Sequence, residues 1–186
     1  MFFKGKTTER LNAPASRPAA GDTRTPCDDK PFLEKILLVV DGSLHSMQAA
    51  DFAVRLATRL GTCLQAAFIV DTATLDYLLQ MHIFIEEERA EMEADLELKG
   101  QRYLERVKEI AAHAGLPLET FIVRGRQHQA VLHLARREHA AAIVLGGWYR
   151  ESRQKDLTSV ERQLILDLAE CPVFVIKDNV HADGFC

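Results

Sequence analysis

A chain of 186 residues has room for one ordinary α/β domain and a remainder. A hydrophobic fraction of 47% is that of a globular protein, and a net charge of −4 argues against nucleic acid or an anionic membrane surface as the main partner. No apolar run approaches the roughly 20 residues of a transmembrane helix. The opening Met1-Phe2-Phe3-Lys4 is too brief for a signal-peptide core, so a cytoplasmic protein is expected. Cys27, Cys63, Cys171 and Cys186 have no C-x-x-C spacing, which indicates neither a metal site nor a disulfide framework. Cys63 and Cys171 fall at predicted strand starts and read as buried thiols.

Residues 1–32 lack periodicity and are rich in Pro, Thr, Ala, Ser and Gly. Burial cannot offset their ordering entropy, so they read as a flexible, mildly basic tail whose Phe2–Phe3 pair is either a docking element or an accident of sequence. The expected domain covers 33–178, with a C-terminal tail over 179–186. Lys35 to Val40 (KILLVV) has the continuous apolar run of a strand covered on both faces, and it ends in Asp41-Gly42-Ser43. A helix is predicted from Leu44 to Leu60, capped by Ser43 and stopped by Gly61. Its buried stripe is Ala50, Val54, Ala57 and Leu60, with Met47 and Phe52 at the margins. Leu64 to Val70 is a second strand, and a strand, helix and strand at this spacing imply a parallel sheet.

Residues 72–85 predict a short helix or partly ordered loop. A long helix from about Glu86 to Ala114 carries Met92, Leu96, Gly100, Tyr103, Val107, Ile110 and Ala114 at spacings of three and four. Its densely acidic first turns read as a solvated face favoured by the helix dipole. A third strand, Leu118 to Val123, is followed by a helix from Gln127 to His139 that buries Ala130, Val131, Leu134 and Ala135. Ala141 to Leu145 is a fourth strand, ending at Gly146 and Gly147. A polar loop, a helix from Ser159 to Ala169 and a last strand, Val173 to Ile176, complete the set. The predicted fold is α/β, a five-stranded parallel sheet sandwiched by four helices, and its ligand crevice lies beyond the strands' carboxyl ends.

Catalytic groups are not evident, and a non-enzyme is expected. Asp41, Ser43 and His45 are too close in sequence to present triad geometry. The spacings of His128, His133 and His139 do not align pairs on one helical face for zinc, and His133 reads as lying on the helix flank. His45 and His128 fall near strand ends and are candidates for ligand contact. Trp148 follows the glycine pair and is expected either to pack over the crevice or to contact a partner. Thr158-Ser159-Val160-Glu161 fits a capping box, in which Glu161 would fold back onto its own helix's amides.

Several of these stretches, taken in order, resemble the universal stress protein family. They are KILLVVDGS with HSMQAADFAVRLA, then AAFIVD, FIVRG, AVLHLARREHAAAIVLGG and TSVERQLILDLAECPVFVIK, within a match that covers Glu34 to Lys177. The resemblance implies a Rossmann-like, five-stranded parallel sandwich that dimerises through its last strand, here Val173 to Ile176. It also implies an adenine-nucleotide site for ATP or AMP. Asp41 and Val70 would lie near the adenine, and Gly146, Gly147, Ser159 and Val160 near the phosphates. The ATP-binding members carry glycine, two residues, glycine, nine residues, then glycine with Ser or Thr. Here Tyr149 and Thr158 stand at the second and third glycines, and the loop is one residue short. The reading is therefore a non-catalytic stress-response homodimer with a degraded nucleotide crevice and no cofactor, acting through an unidentified protein partner, without nucleic-acid binding or membrane insertion. The alternative is a nucleotide-dependent sensor in which Arg150, Arg153 and Lys155 replace the lost amide contacts.

Overall fold

The computed structural model describes residues 33–147 and 157–177, with side chains in the second stretch from Val160 onward. The expected tails, the loop carrying Trp148, Tyr149, Arg150, Arg153 and Lys155, and the side chains of Thr158 and Ser159 lie outside the described residues.

Five strands, β1 (Lys35–Val40), β2 (Cys63–Val70), β3 (Leu118–Arg124), β4 (Ala142–Gly146) and β5 (Val173–Ile176), form one all-parallel sheet in the order β3-β2-β1-β4-β5. Among the described residues five helices connect them: α1 (Leu44–Leu60), α2 (Thr72–Gln80), α3 (Glu86–His113), α4 (Gln127–Arg137) and α5 (Leu157–Leu168). The fifth helix relative to the predicted four is α2, which residues 72–85 build on an Asp71 cap. Asp71 Oδ1 accepts from Thr74 N at 3.2 Å and Oδ2 from Thr74 Oγ1 at 2.7 Å. Every pairing in the sheet is parallel, so all strand carboxyl ends face one edge. The strand order reverses between β1 and β4, which opens the crevice there.

The centre of the sheet is covered on both sides. Ile36, Leu38 and Val40 point to a core shared with Ala50, Val54, Leu104 and Val107 of α1 and α3. Leu37 and Val39 point the other way, to Val131 and Leu134 of α4 and Ile165 of α5. Removing such a side chain from water stabilises the fold by about 1.5–3 kcal/mol. Ser43 caps α1 through Ser46 N, and Gly61 ends it at φ 65°, both as the sequence predicts. Leu60 is a correction, being 43% exposed. The helix buries Ala49 and Ala53 instead, because small side chains let α1 approach the sheet closely. The stripe of α3 also turns slightly: Leu104 and Ala111 are buried, while Met92 lies outside the core.

Cys63 is exposed and Cys171 only half-buried, in contrast to the buried thiols expected. Cys63 is the first residue of β2, ahead of the covered part of the strand. No helix among the described residues is long and apolar enough to cross a membrane.

Candidate functional site

The turn after β1 is built by Asp41. Its Oδ1 accepts from Ser43 N at 2.9 Å, and Ser43 Oγ in turn accepts from Ser46 N at 3.2 Å, so one carboxylate braces the cap of α1. The other oxygen, Oδ2, accepts from the guanidinium of Arg162 on α5. Arg162 is 8% exposed. Burial pushes the Asp41 carboxyl up, but the hydrogen bonds from Ser43 and the Arg162 charge outweigh it and hold the group below its ordinary range.

Gly42 has φ 80°, and a Cβ there would run into the ring of Tyr103 from α3. The aromatic side chain therefore lies directly on the turn beside Asp41. Gly146, at the end of β4, meets the first turn of α1: a Cβ would fall 2.6 Å from Ser46 N and 2.7 Å from the carbonyl carbon of His45. The next glycine donates its own N–H to Ile176 O at 2.6 Å, so the backbone amide of Gly147 is engaged by β5. Val70 is fully buried at the end of β2, and its carbonyl accepts from Gly125 N at 3.1 Å. Val160 is exposed on α5, two residues from Arg162. Asp41, Val70 and Gly146 thus share the carboxyl edge as predicted. Ser159 lies in the first turn of α5, whose start falls at Leu157 rather than at Ser159.

The Thr158 half of the expected capping box falls on side chains outside the described residues; the backbone of Thr158 is helical, and Glu161 reaches across to α4. One carboxylate oxygen, Glu161 Oε2, accepts from His128 N at 2.9 Å and lies 2.6 Å from His128 Nδ1. The N-cap position of α4 is Arg126, which offers no side-chain acceptor. Glu161 supplies one from α5 instead, and a carboxylate at a helix N-terminus is also favoured by the helix dipole. His128 consequently sits in this inter-helix pair, His45 is buried in the first turn of α1, and His133 is exposed on α4 as expected.

Arg162 and the Glu161–His128 pair are the residues that sequence reasoning missed. A signal for Arg162 was present: it stands three residues before Ile165, which is fully buried, so both lie on the face α5 turns to the sheet. Among the described residues no group of His, Cys, Asp and Glu is arranged to hold a metal ion.

A parallel sheet of order β3-β2-β1-β4-β5, with an aspartate after β1 and a glycine pair at the end of β4, defines an α/β protein of the Rossmann-like type. The model of the universal stress protein family matches residues 33–177, and the chain belongs to that family. Universal stress protein YxiE of Bacillus subtilis is 28% identical over 152 residues, covering 78% of this chain and 100% of the relative. Universal stress protein MJ0531 of Methanocaldococcus jannaschii is 26% identical over 145 residues, covering 77% of this chain and 82% of the relative. Among solved structures, the universal stress protein UspA from Lactobacillus plantarum aligns with TM-score 0.62 at 23% identity, over 76% of this chain and 96% of its own. A family member from Arabidopsis thaliana with AMP bound aligns with TM-score 0.54 at 18% identity, over 80% and 96%. A further universal stress protein, in complex with cAMP, aligns with TM-score 0.54 at 18% identity, over 77% and 96%.

Proposed function

We propose that this chain is a non-catalytic universal stress protein that acts as a homodimer through protein partners and whose nucleotide crevice is closed by its own side chains. The observation that carries the reading is the ion pair between Arg162 and Asp41 at the head of the crevice. The carboxylate that the family resemblance places near an adenine is held by a guanidinium from the same chain. The amide of Gly147, one of the donors a phosphate would use, is given to Ile176. Tyr149 and Thr158 stand where the nucleotide-binding signature has glycine.

The dimer reading rests on β5. It is an edge strand of four apolar residues, Val173 to Ile176, each half-buried in the single chain. A second copy of the edge would cover it, as edge strands require.

A second reading, an AMP- or ATP-dependent sensor, is favoured by the AMP and cAMP complexes of relatives. It requires Arg162 to leave Asp41 when the ligand arrives. A native mass spectrum of the protein purified without denaturation separates the two. The proposal expects the mass of two chains and no adduct; an adenine-nucleotide adduct released on unfolding would favour the sensor.

A further inference from the structure

The hairpin between α2 and α3 carries apolar surface that no described residue covers. Ile83 is 60% and Ile85 59% exposed, and Tyr77, Met81 and Met92 are exposed beside them. Backbone hydrogen bonds from His82 N to Leu79 O (3.0 Å) and from Ile83 N to Leu78 O (3.0 Å) hold the turn in one shape. Next to it lies a groove of about 580 Å³ lined by Phe84, Met92 and Ala94 and by Glu88, Glu91 and Asp95. Residues 86–97 hold seven carboxylates and one basic residue, Arg89. Arg89 and Arg124 pair with Asp76, Glu93 and Glu97, and Asp95 holds Lys99 loosely at 3.8 Å. Glu86, Glu87 and Glu91 make no ion pair among the described residues. An apolar patch with an acidic rim selects an apolar segment followed by cations.

The chain contains such a segment outside the described residues: Phe2-Phe3-Lys4-Gly5-Lys6. We propose that residues 2–6 dock in this groove of their own chain, the phenylalanines against Phe84 and Met92 and the lysines against Glu91 and Asp95. The 26 residues between Lys6 and Leu33 span at most about 90 Å, far more than the path around a domain of this size requires. Tethering also keeps the segment at millimolar effective concentration.

The test is peroxide oxidation of Met81 and Met92 in the full chain and in its Phe2→Ser/Phe3→Ser variant, with half-buried Met47 as internal reference. Oxidation of Met92 is expected to be about fivefold faster in the variant, as for a tethered segment whose effective concentration is several times its dissociation constant. Glu91→Lys/Asp95→Lys, checked for unchanged circular dichroism, is expected to release the segment likewise. Equal Met92 rates in the wild type and the Phe2→Ser/Phe3→Ser chain would overturn the proposal. So would protection that survives the charge reversal. Protection that rises with protein concentration would assign the groove to a second copy and overturn the intramolecular contact.

Discussion

Arg162 and Asp41 are 121 positions apart in sequence and meet as an ion pair at the carboxyl edge of the sheet. The contact joins the head of β1 to the inner face of α5, so the last helix is anchored to the first turn of the fold. Loss of one partner would leave the other charge poorly solvated. Arg162→Ala is expected to destabilise the chain by about 2 kcal/mol, less than the roughly 3–5 kcal/mol of a fully buried pair because Asp41 keeps some solvent contact. Urea unfolding of the two chains measures the difference.

The same pair sets a pH dependence. The folded Asp41 carboxyl lies below its ordinary value of 3.8, so its contribution is fully present above that value and is lost as pH falls through the lowered folded value. The stability gap between the wild type and Asp41→Asn is therefore expected to hold steady from neutral pH down to about 5 and to shrink below 3.8. Urea midpoints at a series of pH values follow it.

Gly146 tests how tightly α1 seats on β4. A methyl group there would overlap the backbone of His45 and Ser46, which cannot rotate away. Gly146→Ala is expected to cost about 1–3 kcal/mol through overpacking. At Gly61 nothing lies within 4 Å of an added Cβ, and only the φ of 65° opposes a side chain. Gly61→Ala is expected to cost about 1 kcal/mol. Thermal melts of the two variants rank them.

Glu161 acts on a helix other than its own. Glu161→Ala is expected to cost about 1–2 kcal/mol and to speed amide exchange in the first turn of α4, at His128 above all, as the loss of a helix cap does. If exchange rose instead at the start of α5, the local capping box would be restored.

What the sequence made legible was local. The apolar run KILLVV, the Ser43 cap and the Gly61 stop lie within a few residues of what they control, and each takes its predicted place. Asp41, Val70 and Gly146 could be set on one edge because parallel strands place their carboxyl ends together. The partners of α5 could not be read this way. The pattern from Thr158 to Glu161 satisfies the capping-box rule, yet Glu161 meets His128 33 positions away, because packing α5 beside α4 presents it with an unmet donor. Arg162 shows the same limit: its buried face was inferable from Ile165, its partner only from the fold. Leu60 and Cys63 sit at element ends, where periodicity continues but the covering helix or strand does not.

The central claim is that the chain's own side chains hold the crevice an adenine nucleotide would use. Calorimetric titration of the intact protein with AMP and ATP tests it most directly. The expected result is no saturable heat at ligand concentrations up to about 1 mM, an affinity weaker than about −4 kcal/mol. Saturable micromolar binding, abolished by Asp41→Ala, would contradict it.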